Sequence, residues 1–281
     1  MIKLFLRDIR IEHTLFALPF AYVGALLGAG GHPTWWQLVW VTLAVLGART
    51  AAMAANRVLD RKIDAKNPRT AQRATATGAL PTRVMVGAIV VGLGLTLLAA
   101  AQLNRLCVIL LPLAAAGIVI YPLCKRFTWG THFVLGMIDG FAPLGAAIGV
   151  SGHVTLASVL LFVAVTVWVA GFDIIYALMD YDIDRDQGIH SIPAIFGAAI
   201  TQWLPVALHI FMLVCLALVG WLAHAHPPYL LGMMAALALI VYEARCIREQ
   251  ANVFSLNDKI FMANMSFSVV FLGASLFGRF S

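Results

Sequence analysis

Nine long apolar stretches separated by short polar intervals set the pattern of this chain. They cover roughly residues 13–30, 36–55, 83–101, 105–123, 132–150, 155–178, 197–222, 228–247 and 259–280. Each approaches the roughly 20 residues that a helix needs to cross a bilayer. Polar and apolar residues do not alternate within them, as they would in barrel strands, and backbone groups in hydrocarbon must bond internally. The pattern predicts an all-α membrane protein with nine transmembrane helices in one domain over residues 1–281. The opening "MIKLFLRDIRIEH" is expected to be a short basic amphipathic lead-in and not a cleaved leader, because the first apolar run continues as a span.

Polar residues then orient the spans. Basic residues gather in every second interval: Lys3, Arg7 and Arg10; Arg57 through Arg83; Lys125 and Arg126; Arg185; Arg245 through Lys259. The other intervals carry only Arg105. By the positive-inside rule the basic intervals and the N-terminus are cytoplasmic. An odd number of spans then puts the C-terminus outside.

Composition agrees. Charged residues make up 11% of the chain and mean hydropathy is +0.90, whereas soluble domains average about 25% charged. The net charge of +6 is therefore a topology signal. A nucleic-acid partner is not expected, since no basic face on a folded soluble surface is available. The cysteines (Cys107, Cys124, Cys215, Cys246) lack paired short spacing and read as small packing residues. Trp35, Trp36, His224 and His226 fall where interfacial residues belong.

The acids carry the chemistry. Seven of the thirteen fall in two places: Asp60 and Asp64, then Asp173, Asp180, Asp182, Asp184 and Asp186. Both places follow even-numbered spans and so meet the same cytoplasmic side. Residues four apart share a helix face, so Asn56, Asp60 and Asp64 form one ridge. Tyr176, Asp180 and Asp184 repeat it 120 residues later, which suggests a weak internal duplication. Asp182 and Asp186 fall off that ridge and read as solvated loop. A carboxylate at mid-membrane costs roughly 2.5–3.5 kcal/mol and generally faces a cavity. Like charges so close also repel unless a cation lies between them. An oxygen-only donor set suits Mg²⁺, which takes one or two carboxylates together with substrate phosphates; no zinc-type Cys/His spacing competes. The plainer alternative is salt bridging to Arg57, Arg61, Lys62 and Arg185. Acids holding Mg²⁺ would bind a diphosphate, and Lys125, Arg126, Arg69 and Arg73 supply cations on the same side for its remaining charge.

These segments resemble a known family. "NRVLDRKIDAKNPRTAQR" is similar to the first aspartate-rich motif of UbiA-type intramembrane prenyltransferases, N-D-x-x-D-x-x-x-D followed by Arg-Thr. "DIIYALMDYDIDRDQGIHSIP" resembles their second motif, and "YPLCKRFTWGTHFVLG" the linker between their fourth and fifth helices. The resemblance covers essentially the whole chain. It implies two pseudo-repeats around a central cavity in a bacterial or archaeal cytoplasmic membrane. It also implies Mg²⁺-dependent transfer of a polyprenyl group from polyprenyl diphosphate to an aromatic acceptor. It assigns Asn56, Asp60 and Asp64 to the first Mg²⁺–diphosphate motif, and Asp173, Tyr176, Asp180 and Asp184 to the second. Lys125 matches the lysine that grips diphosphate, and Tyr121 the tyrosine near the reacting allylic carbon. Arg49 matches the arginine that members acting on aromatic carboxylic acids use for the acceptor, with Asn56 beside it. Asp60 or Asp173 would take the phenol proton. Seven residues before Asn56, Arg49 shares its face but lies deeper, where a cation needs an anion; an internal acid such as Asp139 or Asp173 would serve equally.

Two positions depart from the family pattern. Arg57 stands where many members carry aspartate, and His190 where 4-hydroxybenzoate enzymes commonly carry lysine. "RIEHTLFALPFAYVGALL" and "DRDQGIHSIPAIFG" look closer to the subgroup of futalosine-route menaquinone synthesis. The expected acceptor is thus 4-hydroxybenzoate or 1,4-dihydroxy-6-naphthoate. Other classes stay open: a family member with a haem- or chlorophyll-type acceptor, or an ion-coupled transporter, which would also bury acids but scatter them along broken helices.

Overall fold

A computed structural model describes residues 1–10, 14–249, 253–278 and 280. Ile11, Glu12 and His13, within the first stretch similar to the menaquinone subgroup, lie outside the described residues. All regular structure among the described residues is helical. In chain order the helices are α1 Ile2–Asp8, α2 Thr14–Gly28, α3 Trp35–Asp64, α4 Ala74–Thr77, α5 Thr82–Leu103, α6 Arg105–Cys124 and α7 Thr131–Ser151. They continue with α8 Leu156–Tyr176, α9 Tyr181–Asp186, α10 Ile192–Phe196, α11 Leu204–Leu222, α12 Tyr229–Glu249 and α13 Val253–Gly278. A 3₁₀ turn, Ala177–Asp180, joins α8 to α9, and another, Ala198–Gln202, precedes α11.

Among the described residues eight helical stretches are long and apolar enough to cross a membrane. The ninth expected span is the short α2, whose 15 residues reach only about 22 Å against a hydrocarbon core of about 30 Å. Its sequence reads as a span because it is apolar on every side. The reason is interior position: α2 packs against α3, α7, α8 and α13, and Phe16, Phe20, Ala21, Val23 and Ala25 are buried.

Two units overrun the membrane. Helix α3 has 30 residues, about 45 Å, and starts at a capping box in which Thr34 and Gln37 satisfy each other's backbone N–H. Its apolar run ends near residue 55, so Asn56, Asp60 and Asp64 lie on its last turns. Arg61 and Lys62 at that end suit the negative pole of the helix dipole. The 31-residue stretch Leu156–Asp186 does likewise. Both extensions reach one end of the bundle.

Apolar side chains gain nothing from leaving lipid, so the helices associate through close packing of small residues. Gly47 of α3 and Gly92 of α5 meet so closely that a Cβ on either would stand 2.6 Å from the other's carbonyl oxygen. On α7, Gly136 and Gly140 admit the backbone and side chains of Thr166 and Phe162 on α8. Beyond α8 the core is aromatic, with Phe16 and Trp168 stacked at 4.6 Å and Phe20, Phe267 and Phe271 around them.

A buried polar network ties this half together. His209 Nδ1 lies 2.6 Å from Glu243 Oε2, and its Nε2 lies 3.0 Å from the Trp168 carbonyl, which can only accept. Asn264 donates to Glu243 Oε1 at 2.7 Å and accepts from the Trp168 indole at 2.6 Å. Four helices are thereby pinned in register. Removing one partner of such a pair leaves the other buried and unsatisfied, at a cost of about 3–5 kcal/mol. Glu243→Ala should therefore lower the melting temperature markedly in detergent; an unchanged melting curve would show the network to be energetically idle.

Candidate active site

The two overrunning units face each other across a cavity of about 1000 Å³. Of the site residues expected from sequence, Asn56, Asp60, Asp64, Arg69, Arg73, Tyr121, Lys125, Asp173, Tyr176, Asp180 and Asp184 all line it. Arg49 and Arg126 do not. Asp182 and Asp186 are exposed and outside it, as their phase on the helix implied.

The first ridge is intact. Asn56 Nδ2 donates to Asp60 Oδ2 at 3.0 Å across one helical turn. The second ridge is not a straight line. An α-helix would bring Tyr176, Asp180 and Asp184 onto one face, but the chain tightens to three residues per turn over Ala177–Asp180. Tyr176 then stands against the Phe172 ring, Asp180 reaches across to the 65–73 loop, and Asp184 is buried.

Among the described residues none of the salt-bridge partners expected from sequence is found. Each central acid is held by a cation assigned from sequence to the diphosphate. Lys125 Nζ donates to Asp60 Oδ2 at 2.6 Å. Arg73 Nη1 reaches both oxygens of Asp64 at 2.8 Å. Arg69 grips Asp180 with Nε at 2.9 Å and with Nη2 on the other oxygen. Burial alone would lower the Arg69 pKa, but the hydrogen bonds and charge of Asp180 outweigh it and raise it. Arg126 lies at the rim, donating to the Leu59 carbonyl at 2.6 Å and standing 3.8 Å from Asp60 Oδ1.

Within this neutralised set one atom is left over. Asp60 Oδ1 is buried and accepts no hydrogen bond. An orphaned carboxylate oxygen among oxygen donors fits a hard cation such as Mg²⁺, although no three acid, histidine or cysteine ligands converge on one point among the described residues.

Arg49 lies in a second, apolar pocket of about 330 Å³ between α3, α5, α6 and α7. Its Nη1 donates to Asp139 Oδ1 at 3.0 Å, so the anion it requires is supplied internally. Arg49 Nε nevertheless remains buried without a hydrogen-bond partner. Tyr121 lines the polar cavity and lies within electrostatic reach of Asp60, Asp173 and Asp139, the last of which lines the apolar pocket.

Several partners were not visible in the sequence. Asn67 donates to Asp180 Oδ1 at 2.7 Å while its own side-chain oxygen accepts from the Arg69 N–H at 2.9 Å; the Asn-Pro pair at 67–68 was the available turn signal. Arg57, the departure from the family motif, is buried and donates to the Asp8 carbonyl and to Asn56 Oδ1, both at 2.9 Å. It braces α1 against the ridge, and both polar groups of Asn56 are engaged. His132 bonds Asp173 at 2.7 Å. His190, at the other departure, uses its backbone N–H on the Lys125 carbonyl, while its ring Nδ1 is buried without a partner.

The chain that carries these acid-bearing extensions matches one family model, described as the UbiA prenyltransferase family, over residues 17–265. The chain belongs to the UbiA prenyltransferase family. It is accordingly an enzyme, a prenyltransferase, and the transporter reading is set aside. A 4-hydroxybenzoate octaprenyltransferase of Haemophilus ducreyi is 34% identical over 237 residues, 83% of this chain and 85% of that protein. A UbiA homologue of Aeropyrum pernix K1, solved without ligand, superposes with a TM-score of 0.84 at 32% identity, covering 94% of this chain and 97% of that one. A UbiA homologue of Archaeoglobus fulgidus, solved with GPP and Mg²⁺ bound, shares the fold at a TM-score of 0.74 and 18% identity, covering 96% and 99%.

Proposed function

We propose that this UbiA-family prenyltransferase moves a polyprenyl group from polyprenyl diphosphate to an aromatic carboxylic acid, 4-hydroxybenzoate or 1,4-dihydroxy-6-naphthoate, for quinone synthesis. The observation that carries the reading is the pairing of compartments. A charged cavity suited to diphosphate is accompanied, further back along α3, by an apolar pocket whose arginine has an unused buried N–H. The curated relative named for 4-hydroxybenzoate and the Archaeoglobus homologue bound to GPP and Mg²⁺ support it.

In this reading residues 1–281 form one domain. The basic intervals keep the acid end and the N-terminus cytoplasmic, with the C-terminus outside a bacterial or archaeal cytoplasmic membrane. Asp60, Asp64, Asp180 and Asp184 would hold Mg²⁺, which when bound neutralises charge on the departing diphosphate. With the acids engaged by metal, Lys125, Arg69 and Arg73 would be free for phosphate oxygens. Substrate binding is thus an exchange of ion pairs, and no charge in the cavity is left alone. Arg49 orients the acceptor carboxylate through Nε, with Asn56 seven residues further along α3 in the lining of the charged cavity and Arg126 at the rim. The allylic carbon–oxygen bond breaks beside Tyr121, with Tyr176 also in the cavity lining. The acceptor ring carbon then attacks, and the proton released goes to Asp173 or Asp60. Apolar walls exclude water from the allylic cation.

Membranes containing the protein, given labelled prenyl diphosphate and each acid in turn, should form a lipid-soluble product with at least one of them. Product with neither acid would overturn the aromatic-acid reading while leaving prenyl transfer intact.

A further inference from the structure

His132 occupies the second position of α7 and is 3% exposed. Both ring nitrogens are used. The backbone N–H of Ile192, at the start of α10, points at Nε2 from 3.1 Å. An amide N–H can only donate, so Nε2 is the unprotonated nitrogen and the ring proton resides on Nδ1. That proton faces Asp173 Oδ2 at 2.7 Å. The tautomer is therefore set by the main chain of a distant loop, and the histidine presents a fixed donor to an acid on α8.

Asp173 is placed differently from Asp60, Asp64 and Asp180. The central three are held by lysine or arginine, whereas Asp173 has a neutral imidazole, and its side chain is 30% exposed to the cavity. Among the described residues its other oxygen accepts no hydrogen bond. A cation would make the carboxylate a poor proton acceptor. A single imidazole donor fixes its rotamer without placing a cation beside it.

We propose that His132 is a positioning residue for prenyl transfer, holding Asp173 through Nδ1–H so that its free oxygen meets the proton released by the acceptor. The Ile192 contact makes the device conditional. The 188–192 segment also donates the His190 N–H to the Lys125 carbonyl at 2.8 Å, so one strap supports both the proton acceptor and the diphosphate lysine. The inference rests on the reading of Asp173 as the group that takes the proton.

Two substitutions separate the histidine's two bonds. The amide nitrogen of asparagine can stand near the place of Nδ1, and the amide oxygen of glutamine near that of Nε2. His132→Asn should keep the donor to Asp173 and hold kcat within about threefold of wild type. His132→Gln should keep only the strap and lower kcat by at least about tenfold, a fraction of the 10²–10⁴ that proton transfer contributes. KM for prenyl diphosphate should stay unchanged in both. In an Asp173→Asn background His132→Gln should lower kcat no further. The reverse order, with asparagine worse than glutamine, would make His132 a strap anchor only and overturn the proposal. So would wild-type kcat in His132→Gln with an inactive Asp173→Asn. Full kcat in Asp173→Asn would instead remove the proton-acceptor reading, and the proposal with it.

Discussion

Asp60→Asn, Asp64→Asn and Asp180→Asn each reduce prenyl transfer by roughly 10²–10³-fold, the scale on which loss of one electrostatic contributor at a developing charge is felt. EDTA does the same to the wild type, and added Mg²⁺ restores it. The structure adds a second consequence of each substitution. Asp60 is the partner of Lys125, Asp64 of Arg73 and Asp180 of Arg69. Neutralising the acid strands a cation in the cavity, so each variant should bind inorganic diphosphate without metal more tightly than wild type does. Asp182→Asn and Asp186→Asn, on exposed positions outside the cavity, should stay within about twofold, as surface substitutions do. Turnover with labelled prenyl diphosphate checks the set; near-normal rates in any central variant, or in EDTA, would sink the metal reading.

Arg49→Ala raises the acceptor KM or cuts turnover steeply while prenyl diphosphate still binds. Truncating one partner of a buried charged contact typically costs about 2–5 kcal/mol. Here part of that cost is internal, because Asp139 loses its only ion-pair partner among the described residues. The double variant Arg49→Ala, Asp139→Asn separates the two effects. It should regain thermal stability, since no buried charge remains alone, yet recover no acceptor affinity. Arg49→Lys should restore little, because a point charge cannot keep Asp139 on one nitrogen and offer a second in the arginine's planar geometry. Titration with a non-hydrolysable prenyl diphosphate analogue separates the sites. If Arg49→Ala lost diphosphate affinity and kept acceptor affinity, the arginine would belong to the phosphate site and the aromatic-acid reading would lose its residue-level support.

The sequence by itself determined the membrane-embedded helical fold, the end of the bundle at which the acid-bearing extensions meet, and eleven of the residues that line the cavity there. These are local properties: hydropathy over a span's length marks a helix, and a spacing of four on α3 places Asn56, Asp60 and Asp64 on one face whatever surrounds them. Only tertiary structure decided the partners. Lys125 meets Asp60 from 65 residues away, Arg49 meets Asp139 from 90, and Arg69 meets Asp180 from 111. A pattern along one helix carries no information about which cation another helix delivers to it. The same holds for α2, where an apolar stretch reads alike whether it faces lipid or protein, and only the helices around it show it to be a short interior element. It holds also for the turn at Ala177–Asp180, where the reach of Asp180 to Asn67 and Arg69 accompanies a departure from α geometry that the i, i+4 spacing had concealed. His132 is the limiting case: one histidine, whose tautomer is written by the amide of Ile192, 60 residues further along the chain.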